Sequence, residues 1–206
     1  GGTVQAGGGI VQAGGGIVQA GAACTSVSIM YNEDGTFLKP HFFIRPAMHA
    51  FIDTEIIAKA PYQYLWAGIG DTYAKYYEAT ISSRDERLEH FTSLGVALSK
   101  MCRDPLLEYG PKAFADHKQK LCTYDVEQVI LAIVVTTGIA SIFLTKDFTP
   151  DYNSGLAHAI FYALTSYPVI EERHLHGEVV GFGVLLALLV DGQEEEFEKV
   201  YELNRS

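Results

Sequence analysis

The sequence is short of positive charge. Its 206 residues carry 15 Lys and Arg against 25 Asp and Glu, which gives a formal net charge of -10. Because nucleic acids and anionic membrane surfaces are bound through basic patches, this balance argues against both classes of partner. We therefore expect small-molecule partners and further copies of the same chain, in a homo-oligomer.

Cysteine is also scarce, and no CxxC spacing of the kind that binds zinc is present. The three cysteines are Cys24, Cys102 and Cys122, an odd number. This pattern is typical of reduced thiols in a cytoplasmic protein rather than of a disulfide framework. No basic segment followed by an apolar stretch opens the sequence, so we expect no secretion signal.

Long apolar runs are limited to residues 129–144. This run is shorter than the roughly 20 residues that span a bilayer. It also contains the polar residues Thr136, Thr137 and Ser141. The run therefore predicts a buried helix at the centre of a globular domain and not a membrane span.

Residues 1–21 lack both charged and aromatic side chains. They repeat a glycine-rich heptad, whose second and third copies read Gly-Gly-Ile-Val-Gln-Ala-Gly. Glycine-rich loops bind phosphate when a strand precedes and a helix follows, and neither is visible here. The segment is predicted to be flexible and of low complexity, because ordering so many glycines is entropically costly.

Residues 22–53 carry the pattern of a small β element. Alternating side chains over 27–31, a turn at 32–35 and further strand-like residues at 36–38 and 41–44 predict a β-hairpin. Residues 50–53 have the composition of a third short strand that links the hairpin to the helical region.

Residues 54–206 are predicted to be helical almost throughout. Asp53 or Thr54 caps a short helix that ends at Ala60, and Pro61 starts the next helix. Further helices are predicted over 84–102, 104–109, 111–120, 123–145, 155–166, 176–190 and 193–203, with breaks at prolines. The fold is therefore expected to be mainly α, a helical bundle around residues 129–144 with a small β-hairpin at its N-terminal side.

Three residues far apart in the sequence are suited to binding one metal ion. Asp71, His158 and His176 each lie beside small residues that leave room for an ion. Carboxylate and neutral imidazole are good ligands for zinc or ferrous iron, and three protein ligands leave a position open for water or substrate. Singly, Asp71 is as well explained by a helix start and His158 by a satisfied core histidine. Together they predict a reactive metal site, beyond which no catalytic residue is identified.

Several stretches, in this order, resemble a known enzyme family. They are 28–32 with the following turn, 52–61, 67–71, 155–160, and 176–178 with the nearby Phe182-Gly183 pair. These stretches are similar to those of the iron-containing, metal-dependent alcohol dehydrogenases, and most similar to the glycerol dehydrogenase branch. The resemblance covers residues 22–206. It implies that the helical bundle is the C-terminal, dehydroquinate synthase-like α domain of that family.

The resemblance also implies a function. It implies an NAD-dependent oxidoreductase in which Asp71, His158 and His176 hold Zn²⁺, with Fe²⁺ as the other candidate. The metal polarises the hydroxyl of a small alcohol or polyol for hydride transfer to NAD. In the same family the start of the hairpin contacts the nicotinamide, which assigns cofactor contacts to Thr25, Val27 and Tyr31.

Lys75 distinguishes this sequence from the iron-using relatives. Those relatives place a fourth metal ligand, a histidine, one helical turn after the aspartate, and here that position is Lys75. A protonated lysine does not coordinate a metal, so the three-ligand zinc arrangement is favoured. The alternative is that Lys75 only pairs with Asp71 or another acid.

Other departures concern the cofactor and the substrate. No alternating strand-helix pattern of a nucleotide-binding domain precedes the hairpin, and the sequence stops at Ser206 before the last helices expected of such domains. Gly21 and Phe161 replace an aspartate and a second histidine of glycerol-specific relatives. These replacements favour a less hydroxylated alcohol, diol, aldehyde or ketone. The alternative function is a non-catalytic metal-binding or assembly subunit, and an enzyme of the dehydroquinate synthase type fits the motifs less well.

Overall fold

The fold is mainly α-helical, with one small antiparallel sheet. The computed structural model describes residues 24–31, 37–46, 48–145 and 152–205, with the backbone alone at 27–31 and 37–40. The predicted flexible segment 1–21 and the predicted hairpin turn 32–35 lie outside these residues. The strands are β1 (Val27–Tyr31) and β2 (Phe37–Phe42), and the helices are α1 (Thr54–Ala58), α2 (Tyr62–Ser82), α3 (His90–Ser99), α4 (Asp104–Lys118), α5 (Tyr124–Leu131), α6 (Thr137–Phe143), α7 (Leu156–Leu164), α8 (Pro168–Arg173), α9 (His176–Val190) and α10 (Glu194–Arg205).

The β-hairpin expected near the N-terminal side is present. Strands β1 and β2 pair antiparallel from Val27 opposite Phe42 to Tyr31 opposite Phe37, with a register irregularity after Met30. The third strand expected at residues 50–53 was wrong, because this stretch is an extended linker without strand pairing. Its Asp53 instead caps α1, since the Asp53 carboxylate accepts a hydrogen bond from the backbone N–H of Ile56 at 3.2 Å.

Helix α2 occupies the centre of the bundle. Of its 21 residues, 12 are buried. It packs against α3, α4, α6, α7 and α9, and its most extensive contact is with α9. The expectation that the bundle surrounds residues 129–144 was therefore wrong. Small residues along α2 let neighbouring helices approach closely, and this gives α2 more buried surface than an apolar run alone would.

Residues 124–143 form a continuous helical segment that is buried on one side only. It comprises α5, a π-helical turn (Ala132–Thr136) and α6. Within the described residues it is the one helix long and apolar enough to cross a membrane. Its most apolar stretch of 18 residues has a mean hydropathy of 2.0, and half of that stretch is buried inside the molecule. Its Val129 and Ile130 lie in the same hydrophobic core as α2. These contacts are those of a core helix.

Two glycine contacts fix the position of α9. A Cβ atom built on Gly177 would lie 1.7 Å from the backbone oxygen of Ala67 in α2. A Cβ atom on Gly183 would lie 2.6 Å from the backbone oxygen of Ala157 in α7. Because only hydrogen fits at these positions, the backbones of α2, α7 and α9 approach one another directly.

Two predicted helix boundaries were wrong. The helix predicted to start at 84 starts at His90, because residues 83–85 form a turn in which Asp85 has a positive φ of 62°. The predicted break at Gly110-Pro111 is absent, and α4 runs through both residues. Pro111 is exposed, and α4 continues through it without the backbone hydrogen bond that a proline cannot donate.

Candidate metal centre

The side chains of Asp71, His158 and His176 come together at the junction of α2, α7 and α9. Asp71 lies in the middle of α2, His158 is the third residue of α7, and His176 is the first residue of α9. The three residues offer ligand atoms that all lie within 4.8 Å of one another. The convergence predicted from the sequence is therefore observed in the fold.

Asp71 is the shared partner of both imidazoles. Its Oδ1 lies 3.5 Å from Nε2 of His158 and 3.5 Å from Nε2 of His176. The two imidazole rings are 5.4 Å apart between centroids and tilted by 50°. One carboxylate oxygen and two imidazole nitrogens thus surround a common point.

The donor set fits a divalent cation. Asp71 Oδ1 is buried and has no hydrogen-bond partner among the residues that the structure describes. An unpaired carboxylate oxygen is costly to bury, and a cation held between it and the two nitrogens would remove that cost. The His158 side of the cluster is shielded from solvent, since that side chain is 8% exposed. The His176 side is more accessible, since the His176 side chain is 31% exposed. The open side leaves room for a further, non-protein ligand.

The charges of the cluster are strongly coupled. Burial raises the pKa of Asp71, but the nearby imidazoles of His158 and His176 and the ammonium of Lys75 outweigh it, so the pKa lies well below its ordinary value. Burial lowers the pKa of His158, but Asp71 and Glu78 outweigh it and the pKa is raised. Asp71 is thus ionised, as a metal ligand must be.

A second carboxylate, Glu78, was not identified from the sequence. It lies two helical turns after Asp71 on the same face of α2 and is 3% exposed. Its Oε2 is 2.7 Å from Nδ1 of His158. Burial raises the pKa of Glu78, but the contact with His158 outweighs it and the pKa is lowered. The seven-residue spacing from Asp71 was the available signal, since it places both acids on one side of the helix.

Lys75 and Phe161 complete the surroundings of the cluster. Lys75 is buried, and its ammonium donates a hydrogen bond to the backbone oxygen of Asn153 at 2.9 Å. It lies close enough to lower the pKa of both Asp71 and Glu78. The ring of Phe161 meets that of His176 edge to face, with 4.2 Å between centroids. The more open side of the cluster is therefore bordered by an aromatic ring.

The residues predicted to contact a dinucleotide lie at the start of the hairpin. Thr25 is buried and lies two residues before the start of β1, whereas Val27 and Tyr31 belong to β1. The side chains of Val27 and Tyr31, and the whole of Gly21, lie outside the described part of the chain. The cofactor contacts of these residues stay predictions.

The sequence is similar to proteins of one enzyme class. It is 35% identical over 191 residues to a glycerol dehydrogenase of Thermotoga maritima, a match of 87% of this chain and 48% of that protein. It is also 35% identical over 175 residues to hydroxycarboxylate dehydrogenase A of Escherichia coli, covering 84% of this chain and 47% of that protein. No protein-family model matches the chain.

The fold is similar to that of a solved structure of the same kind. A probable glycerol dehydrogenase from Sinorhizobium meliloti superposes with a TM-score of 0.73 at 27% sequence identity, covering 91% of this chain and 52% of that one. The chain thus spans about half the length of the relatives that it matches. It belongs to the iron-containing, metal-dependent alcohol dehydrogenase family, in the glycerol dehydrogenase-like branch, and corresponds to the helical C-terminal part of its members.

Proposed function

We propose that the chain is the metal-binding part of an NAD-linked oxidoreductase that acts on a small alcohol or polyol. The observation that supports this function best is the meeting of Asp71, His158 and His176 from three helices around one buried, unpartnered carboxylate oxygen. The relatives named glycerol dehydrogenase support the reaction class.

The three side chains have complementary tasks in this proposal. Ionised Asp71 supplies the negative charge, and His158 and His176 supply imidazole nitrogens from the other two helices. A bound divalent cation would supply a Lewis acid that lowers the pKa of a substrate hydroxyl. The substrate hydroxyl would bind on the more exposed side of the cluster, next to His176.

Zinc is the metal that we propose. Lys75 presents an ammonium group one turn after Asp71, and this group is buried and hydrogen-bonded to Asn153. A protonated amine has no lone pair for a metal, so α2 supplies one ligand from this face. Three protein ligands with one open position are typical of catalytic zinc sites.

The proposed substrate is a small alcohol, diol or ketone with few hydroxyl groups. The named relatives include glycerol dehydrogenases and a hydroxycarboxylate dehydrogenase. Phe161 places an apolar ring against His176 on the more open side of the cluster. A hydroxyl group that reaches this ring loses its hydrogen bonds to water and gains none, which disfavours heavily hydroxylated substrates.

Zinc retention after gel filtration tests the metal site. A His158→Ala, His176→Ala double variant is expected to lose stoichiometric zinc, because two of its three ligands are gone. A His49→Ala, His90→Ala double variant is the matched control, since it also removes two imidazoles, both exposed and outside the cluster. Wild-type zinc content in the His158/His176 variant would refute the proposed site.

Dinucleotide binding tests the reaction class. NAD should bind the zinc-loaded protein with contacts from Thr25, Val27 and Tyr31. Small diols should reduce NAD⁺ to NADH, and hydroxyketones or aldehydes should oxidise NADH to NAD⁺, which the nicotinamide absorbance reports. The assay uses the chain together with any segment that the intact protein adds to it. Bound zinc without NAD binding or turnover would overturn the oxidoreductase proposal and favour the non-catalytic metal-binding subunit.

A further inference from the structure

Glu78 is a buried carboxylate with three hydrogen-bond contacts, all to the start of α7. Its Oε1 accepts hydrogen bonds from the backbone N–H groups of Gly155, at 2.8 Å, and His158, at 2.9 Å. Its Oε2 lies 2.7 Å from Nδ1 of His158. One side chain of α2 therefore holds both the backbone of the first turn of α7 and the imidazole that this turn carries.

The contact with Nδ1 determines which nitrogen of His158 is free. An ionised carboxylate only accepts hydrogen bonds, so Nδ1 must carry the proton that it donates to Glu78. A neutral imidazole has one N–H, and its other nitrogen, Nε2, then has a lone pair. That nitrogen is the one that lies 3.5 Å from Asp71 Oδ1.

We propose that Glu78 is a positioning residue of the metal centre, which fixes both the tautomer and the place of His158. This proposal rests on the proposed metal-binding function. When His158 is neutral, Glu78 holds its proton on Nδ1 and leaves the Nε2 lone pair toward the position that the cation would occupy. It also ties α7 to α2, so that Asp71 and His158 keep their separation when the site is empty.

A Glu78→Gln variant separates positioning from simple helix capping. The glutamine oxygen can still accept from the N–H groups of Gly155 and His158, which preserves the cap. The glutamine NH₂ group then faces Nδ1 of His158 and can only donate to it. Nδ1 must now accept, the proton moves to Nε2, and His158 no longer offers a lone pair toward Asp71.

Cobalt binding measures this effect directly. Co²⁺ is titrated into the metal-free chain against a competing chelator, and visible absorption reports the ligand geometry. For Glu78→Gln we expect a loss of affinity of about 10- to 100-fold and an altered absorption spectrum. The control is Glu196→Gln, which neutralises a carboxylate bound to Arg103 and Tyr77 instead, and should leave Co²⁺ binding unchanged. Wild-type affinity and an unchanged spectrum in folded Glu78→Gln would overturn the proposal.

Nitrogen NMR of the wild-type histidines gives a test that needs no variant. In the zinc-loaded protein, His158 should carry a proton on Nδ1 and bind zinc through Nε2. Zinc on Nδ1 would overturn the positioning role even if Glu78→Gln fails to fold. If the wild-type chain binds neither Co²⁺ nor Zn²⁺, the proposed metal site itself is refuted, which distinguishes that failure from a failure of the role of Glu78.

Discussion

Replacement of Gly177 by alanine should disable the metal site without touching a ligand. Gly177 follows His176 at the start of α9, and its Cβ would lie 1.7 Å from the backbone oxygen of Ala67. A Cβ atom essentially never lies closer than 3.0 Å to such an atom, and ordinary contact begins at 3.4 Å, so the start of α9 must retreat from α2 by 1.3 Å to reach the first distance and by 1.7 Å to reach the second. Neither atom belongs to a flexible side chain, and the helices themselves have to move.

The size of this shift sets the expected effect. Metal-ligand distances tolerate about 0.2 Å, so a retreat of this size separates His176 from Asp71 and His158. We expect a loss of zinc affinity of at least about tenfold, which corresponds to about 1.4 kcal/mol. Overpacking should also lower the free energy of unfolding of the metal-free protein by about 1–3 kcal/mol.

Gly181→Ala provides the matched control in the same helix. Its Cβ would meet the hydroxyl of Tyr73 at 2.6 Å, which is the far end of a side chain and not backbone. Both variants gain helix propensity from the same Gly-to-Ala change. The difference between them in zinc affinity and in stability therefore reports the contacts that each new Cβ atom makes. Chelator competition for zinc and thermal unfolding with and without zinc are the assays. Wild-type zinc affinity in Gly177→Ala would refute the inference that the contact with Ala67 positions His176.

Two further predictions concern stability in the presence of a chelator. Burial lowers the pKa of His117, whose Nε2 lies 3.0 Å from the backbone oxygen of Ile57, so the unfolded chain binds a proton more readily. The free energy of unfolding of the wild type should therefore decrease as pH falls from about 6.5 toward that lowered pKa, by up to about 1.4 kcal/mol per pH unit, and that of His117→Gln should depend less on pH. Urea unfolding across this pH range measures both free energies. Equal pH dependence in the two proteins would contradict the role given to His117. Leu65→Ala removes a side chain that is 0% exposed and should lower the free energy of unfolding by about 2–5 kcal/mol. A loss below about 1 kcal/mol would contradict this and show that the core around the start of α2 closes the cavity.

The residues of the candidate metal site could be proposed from the sequence because each has a local signature. Small residues flank Asp71, His158 and His176, and their order matches that of a known family. Glu78 has no such signature, because a glutamate inside a helix usually faces solvent. Its role depends on α7 lying against α2, which local sequence does not specify.

The wrong predictions about the fold have a related cause. Pro111 and Gly110 locally predict a helix break, but α4 continues because Pro111 lies on the solvent side. Residues 129–144 are the most apolar run, yet α2 is central because its small residues admit α9 and α7 at close range. Hydrophobicity is a property of each segment, whereas burial depends on which segments meet.

The sequence by itself determined the helical class, the hairpin and the identity of the candidate ligands. Periodicity, caps and turn residues act over a few positions, and these signals are present in the chain before it folds. Only the tertiary structure decided the 3.5 Å distances around Asp71 and the contact of Glu78 with His158. Those distances result from helices that approach through Gly177 and Gly183, and close packing between distant segments is set by the whole fold.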